Sequence, residues 1–245
     1  MNVRIEGSAD GPVVVLAGSL GSTLEMWDAQ VPALTAAGFR VLRYDHPGHG
    51  GSPLVELRGI GTLAAGALGL LDEHGIERVS WCGLSLGGAV GMRLALDLPE
   101  RIDRLALLST SARFGPAKIW QERADRVRAE GIEALASAVE ERWLTPAFGD
   151  VSRYRAMFVT TSAEGYARCC EAIRDWDVRE QVGWIRSPTL VVSGADDPST
   201  PPEHGALLAE RIPGARHVVL PNTAHLLNVE RADDVNALLL EHLGR

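Results

Sequence analysis

The sequence predicts an α/β protein in which helices flank a mostly parallel central sheet. Two observations support this fold class: short apolar runs alternate with longer helix-like segments, and glycines or polar loops separate them. Apolar runs without polar alternation are typical of strands buried on both faces of a parallel sheet. At 245 residues the chain is long enough for one sizeable core with an inserted subdomain.

The predicted elements follow one another regularly at both ends of the chain. The first run, VVVL at residues 13–16, ends at Ala17-Gly18, and the helix at 60–74 ends at Gly75, a common helix stop. The other predicted strands cover residues 40–44, 78–82, 102–108, 189–193 and 217–220, and the other predicted helices cover 23–37 and 86–98 and begin again at Pro202 and Ala232.

The alternation stops after Ser111, and the next seventy residues are helical and polar in pattern. Four of the six tryptophans lie in this segment or at its border: Trp120, Trp143, Trp176 and Trp184. We therefore predict an α/β core of residues 1–112 and 184–245, interrupted by a helical cap of residues 113–183.

Composition restricts the partners of the protein. A net charge of −8 argues against nucleic acid or an anionic membrane surface, and an anionic substrate would need a local cation. No apolar run approaches the ~18 residues of a membrane span, and no export segment is recognisable. The three cysteines, Cys82, Cys169 and Cys170, lack CxxC spacing, which indicates free thiols. We expect a cytoplasmic protein that acts on a small molecule without a metal or cofactor.

The strongest chemical signal is the segment GLSLG at residues 83–87, between a predicted strand and a predicted helix. This G-x-S-x-G pattern is typical of the nucleophile elbow of α/β-hydrolases, in which a serine occupies a sharp, strained turn. Gly83, Gly87 and Gly88 leave room for the turn, and the following helix directs its positive end at the serine. We predict that Ser85 is the nucleophile and that the Leu86 N–H binds an oxyanion.

Ser85 needs a general base, and in this fold the order along the chain is Ser, acid, His. His225 follows the strand at 217–220 and a short loop, where a base can reach the serine, so we predict that it is the base. His204 precedes this region at a helix start, His217 begins an apolar strand, and His242 lies within the last helix.

Two aspartates follow the strand at 189–193, and either could orient the imidazole. The spacing from Gly194 to Pro201 favours Asp197 over Asp196, on positional grounds.

The loop GSLG at residues 18–21 follows the first apolar run and should supply the second oxyanion donor. We predict the Ser19 N–H, with Leu20 as the near alternative. The loop lacks both the G-x-G-x-x-G spacing and a phosphate-binding lysine.

The segment DHPGHG at 45–50 places two histidines near a carboxylate, but no further ligand cluster accompanies it, so we predict that it fixes a loop beside the site and binds no metal.

With these residues placed, the sequence resembles the 3-oxoadipate enol-lactonase family over nearly its whole length. The similar segments are LEMWD at 24–28, QVPAL at 30–34, CGLSLGG at 82–88, ERWLTP at 141–146, EGYARCCEAIRD at 164–175, DPSTPP at 197–202 and AHLLNVE at 224–230. The chain departs from the family in three places: AGSLG at 17–21 replaces a more polar Asn-Ser-Leu-Gly run, His46-Pro47 replaces the usual Thr-Arg, and Leu86 stands where Met is common.

The resemblance implies hydrolysis of 3-oxoadipate enol-lactone to 3-oxoadipate in aromatic catabolism, through an acyl-enzyme on Ser85. The lactone carries a carboxylate, for which Arg142 is the predicted cation, and Trp143 is the predicted pocket wall. A carboxylesterase or another hydrolase of small esters on the same scaffold is the alternative, and a non-catalytic binding protein is a third hypothesis. The oligomeric state stays open.

Overall fold

In the computed structural model, which describes residues 1–244, seven strands form one sheet. They are β1 (Val3–Gly7), β2 (Val13–Ala17), β3 (Arg40–Tyr44), β4 (Val79–Leu84), β5 (Ile102–Leu108), β6 (Thr189–Gly194) and β7 (Arg216–Leu220). Their order is β1-β3-β2-β4-β5-β6-β7; β1 pairs antiparallel with β3, and every other pair is parallel. The predicted fold class is confirmed.

The helices of the described chain connect these strands. They are α1 (Val31–Ala36), α2 (Ile60–Glu73), α3 (Leu86–Asp97), α4 (Ala117–Glu130), α5 (Ala136–Trp143), α6 (Ser152–Val159), α7 (Ala163–Arg174), α8 (Pro202–Arg211), α9 (Leu227–Glu230) and α10 (Ala232–Leu243). None of them is both long and apolar enough to cross a membrane.

The centre of the sheet forms the core of the molecule. Every residue of β4 and of β6 is buried, which requires cover on both faces and explains their continuous apolar sequences. β4 also extends to Leu84, beyond the predicted end at residue 82, because the elbow follows the strand directly. Since β2 and β4 to β7 run parallel, their carboxyl ends share one edge of the sheet, where the candidate residues follow them.

The predicted helix at residues 23–37 is wrong in its continuity. The structure has a 3-10 turn at Leu24–Trp27 and then α1, separated by three residues. Pro32 explains the new start, because a proline has no N–H to donate and is tolerated in the first turn of a helix but not in its interior.

Helices α4 to α7 lie between β5 and β6 in the chain and form the helical cap. Helix α4 packs along α7, and Arg128 of α4 forms ion pairs with Glu164 and Glu171 of α7. The domain boundaries at residues 112/113 and 183/184 stay a prediction.

Candidate active site

The elbow joins β4 to α3 through a single strained residue. Ser85 has φ 55° and ψ −111°, a conformation that an L-residue other than glycine rarely adopts. Its N–H donates to the Leu108 carbonyl oxygen at 2.9 Å, and its own carbonyl oxygen accepts from Thr110 Oγ1 at 2.7 Å. The neighbouring strand therefore holds the serine backbone in place.

Two glycines make this turn possible because the backbone passes too close for any side chain. A Cβ on Gly83 would lie 2.2 Å from the Gly87 carbonyl oxygen. A Cβ on Gly87 would lie 2.1 Å from the Ala17 carbonyl oxygen of β2. The glycines of the pattern are therefore required by packing between strand and helix.

The predicted acid and base lie in hydrogen-bond contact. His225 Nδ1–H donates to Asp197 Oδ2 at 2.8 Å, and both residues are buried. Thr200 Oγ1 also donates to Oδ2 at 2.6 Å, while the N–H groups of Ser199 and Thr200 donate to Oδ1. Asp196, the alternative acid, is exposed.

These contacts keep Asp197 ionised. Burial alone would raise the pKa of this carboxyl, but the His225 imidazole and the hydrogen bonds from His225 and Thr200 hold the pKa at about 2. A carboxylate in this position can orient the imidazole and stabilise its cation.

Ser85 and His225 line one cavity, but no hydrogen bond joins them in the described part of the chain. The hydroxyl beside His225 Nε2 belongs instead to Ser19, with Oγ at 3.5 Å.

The amide N–H groups beside Ser85 differ in their partners. Within residues 1–244 the N–H groups of Leu86 and Leu20 have no hydrogen-bond acceptor. The Ser19 N–H, the predicted second oxyanion donor, points instead at Met26 Sδ, 3.4 Å away. A thioether is a weak acceptor, so Leu20, the alternative considered from sequence, has the freer amide.

Two buried histidines hold the loop that carries Ser19 and Leu20. His46 Nε2–H donates to the Gly18 carbonyl oxygen, and the Gly21 N–H donates to His49 Nε2, both at 2.9 Å. Burial lowers the pKa of His46 to about 4 and of His49 to about 3, so both imidazoles are neutral. Over residues 1–244, no group of three or more His, Cys, Asp or Glu is placed to hold a metal ion.

The cap supplies the wall opposite the elbow. The cavity is lined from the core by Ser19, Leu20, Ser85, Ser199, Thr200 and His225, and from the cap side by Phe114, Trp120, Arg123, Val139, Arg142, Trp143 and Tyr166. The structure therefore brings both predicted substrate-binding residues, Arg142 and Trp143, into the cavity of Ser85.

Five members of this wall, Phe114, Trp120, Arg123, Val139 and Tyr166, were not predicted as site residues. Trp120 and Arg123 stand three apart and share one face of α4, a spacing visible in the sequence. Nothing in that spacing indicates which way the face points, and the packing of the cap decides it.

The cap is also hydrogen-bonded to the loop of the predicted base. The Leu226 N–H donates to the Trp143 carbonyl oxygen at 2.8 Å. One carboxylate oxygen of Glu230 accepts from both the N–H and the hydroxyl of Thr145, and the other accepts from the Ala224 N–H at 2.6 Å. Glu230 thus joins the end of α5 to the residue before His225.

Comparison with known proteins matches this geometry to hydrolases. The family described as alpha/beta hydrolase fold matches residues 11–232. The enol-lactonase from Burkholderia xenovorans LB400 superposes with a TM-score of 0.95 at 42% identity, covering 100% of this chain and 96% of that one. 3-oxoadipate enol-lactonase 2 of Acinetobacter baylyi is 37% identical over 96% of this chain and 90% of its own length. A Klebsiella pneumoniae protein assigned as a carbamate hydrolase, RutD, is 30% identical over 95% of this chain and 91% of its own.

Proposed function

Because the chain belongs to the α/β-hydrolase family, and within it to the 3-oxoadipate enol-lactonases, we propose that it hydrolyses 3-oxoadipate enol-lactone to 3-oxoadipate. The chain is a serine hydrolase of esters and lactones, and the proposal concerns its substrate and the residues that act on it. The substrate is a cyclic enol ester that carries one carboxylate.

The observation that carries this proposal is an unpaired cation above the candidate nucleophile. Arg142 lines the cavity of Ser85, and within residues 1–244 no carboxylate forms an ion pair with it. Burial lowers the pKa of its guanidinium, yet an arginine stays protonated in proteins, so the cavity holds a positive charge that an anionic substrate can neutralise. The carboxylate of the lactone supplies that anion, and the buried Trp143 ring borders it.

Acylation begins when Ser85 Oγ attacks the lactone carbonyl carbon and His225 Nε2 takes the hydroxyl proton. The Asp197 carboxylate stabilises the imidazolium that forms. The Leu86 N–H and an amide of the Ser19–Leu20 loop bind the oxyanion, and each such donor contributes about 10²- to 10³-fold in rate. The C–O bond of the ring then breaks, and the His225 imidazolium gives its proton to the leaving enolate, which ends as a ketone on the tethered acyl chain and leaves His225 neutral again.

Deacylation uses the same groups. His225 takes a proton from water, the water oxygen attacks the acyl carbon, and Ser85 Oγ leaves with the proton that His225 returns. The product carries two carboxylates, one of them newly formed beside Ser85.

The direct test supplies enol-lactone made enzymatically from 4-carboxymuconolactone and follows its loss by ultraviolet absorbance. We expect turnover well above spontaneous hydrolysis, and we expect Ser85→Ala to lower kcat by about 10⁵-fold or more with an unchanged melting temperature. If the protein cleaves simple aryl esters but hydrolyses the lactone no faster than buffer does, it is an esterase.

The likeness to RutD makes a carbamate the second substrate to compare. A carbamate without a carboxylate gives Arg142 no partner, so we expect kcat/KM for the lactone to exceed that for a neutral carbamate. The opposite order would favour the carbamate hydrolase.

A further inference from the structure

The cavity of Ser85 contains a second cation, and its side chain is held in place. Arg123 of α4 lines the cavity, and its guanidinium carbon lies 4.6 Å from the centre of the Trp120 ring. The Trp120 Nε1–H in turn donates to the Phe114 carbonyl oxygen at 2.6 Å. A guanidinium stacked on a fixed aromatic ring has lost much of its freedom before any ligand arrives.

Arg123 and Arg142 lie close enough to affect each other. The Arg123 charge adds to the larger effect of burial in lowering the pKa of Arg142. Burial raises the pKa of Tyr166, and the positive charges of both arginines oppose that rise. Both guanidinium groups therefore face the same small volume, next to the Tyr166 ring.

Neither arginine forms an ion pair with an aspartate or a glutamate within residues 1–244, although most other arginines there do. Two like charges in a half-buried cavity repel each other, and desolvation adds to the cost. The arrangement becomes favourable when an anion enters, since one carboxylate can accept hydrogen bonds from both guanidinium groups. In a protein of net charge −8, this pair makes one cavity locally cationic.

We propose that Arg123 is a specificity-determining residue that acts with Arg142 as a single carboxylate-binding site for esters bearing a free carboxylate. The inference rests on the proposed ester-hydrolase function of the cavity, but it holds for any ester of this class, whether or not the enol-lactone is the substrate. The same pair faces one end of a short dicarboxylate product whose other carboxylate lies at Ser85.

The test compares two esters that differ in one charge: p-nitrophenyl acetate, which is neutral, and mono-p-nitrophenyl succinate, which carries a carboxylate. Arg123→Gln should lower kcat/KM for the succinate ester by about 10- to 100-fold, mainly through KM. The loss of kcat/KM for the acetate ester should be clearly smaller than the loss for the succinate ester, because a neutral ester makes no ion pair.

The matched control is Arg126→Gln. It removes the same charge from the same helix, but Arg126 pairs with Glu130 at the surface, where an ion pair contributes little. We expect kcat/KM for both esters to stay within about 2-fold of the unmutated protein. An equal loss on both esters in Arg123→Gln, or no loss on either, would overturn the proposal.

A binding measurement keeps the proposal testable if ester hydrolysis is too slow to follow or Arg123→Gln is unstable. Titration calorimetry of the unmutated protein with glutarate and with its neutral dimethyl ester should show binding of glutarate alone. Arg123→Lys, which keeps the charge but loses the planar fork, should weaken glutarate binding by about 10-fold. Glutarate binding that is equal in both proteins contradicts the role of Arg123, whereas failure on the enol-lactone with charge selectivity intact contradicts only the lactonase assignment.

Discussion

The elbow and the cap wall border the same cavity but are built in different ways. At the elbow, a short segment carries the geometry: the Gly83 and Gly87 backbones pack against each other, Gly87 also packs against β2, and Ser85 between them takes a positive φ. In the cap wall, Arg123, Arg142 and Tyr166 come from three different helices and meet only when those helices pack together.

This difference separates the residues proposed for catalysis, at the elbow, from those proposed for substrate binding, in the cap wall. The part that activates a serine can be identified from a short pattern, because its requirements are steric and local. The part proposed to bind the substrate depends on side chains brought together over long distances in sequence. The cap can therefore change the accepted ester while the elbow keeps the reaction.

The largest expected effect comes from breaking the elbow. Gly87→Ala places a Cβ against the Ala17 carbonyl oxygen, which is backbone and cannot yield without moving β2 or α3. We expect a loss of about 3 kcal/mol in the free energy of unfolding, measured by urea denaturation, and a loss of esterase activity.

Gly69→Ala is the control for that substitution, since nothing lies within 4 Å of its added Cβ in α2. It should stabilise the protein by about 0.5 to 1 kcal/mol, because alanine favours helices over glycine. Equal effects of the two substitutions would contradict the steric account of the elbow.

A smaller effect should follow from pH, through the loop beside the elbow. The folded protein keeps His49 neutral down to about pH 3, whereas an unfolded histidine takes up a proton near pH 6.5. The unfolded state therefore binds more protons below pH 6.5, and the free energy of unfolding falls as the pH drops. From pH 7.5 to 5.0 this histidine should account for about 2 kcal/mol of the loss.

His49→Gln should remove that share of the pH dependence of the free energy of unfolding, as measured by urea denaturation at pH 7.5 and pH 5.0. The neutral imidazole accepts the Gly21 N–H, so protonation would also disturb the loop of Ser19 and Leu20. An unchanged pH dependence in the variant would show that His49 is protonated in the folded state.

The smallest expected effect lies at the join between the cap and the base loop. Glu230→Gln replaces one acceptor oxygen by an NH₂ group, which donates and does not accept. Either Thr145 or Ala224 therefore loses its acceptor. We expect about 1 kcal/mol less stability and a several-fold lower kcat, because His225 follows Ala224 directly. Glu241→Gln, which breaks an exposed ion pair with Arg216, is the control and should change neither quantity measurably.

The sequence predicted much of the fold because its signals are periodic. Strands 102–108 and 40–44 have the predicted bounds, since their apolar runs are bounded by polar residues or loops. The prediction of one continuous helix at 23–37 failed because the apolar content of that segment is continuous, while Pro32 and the local turn break the backbone hydrogen bonding.

By itself, the sequence determined the α/β class, the strained serine and the order in which Ser85, Asp197 and His225 follow parallel strands. Those features depend on backbone sterics and on strand direction, which short patterns express. Only the tertiary structure decided that Arg123 joins Arg142, that the Ser19 hydroxyl and not its amide faces His225, and that Glu230 joins the cap to the loop of His225. These are contacts between segments distant in sequence, and they exist only in the folded chain.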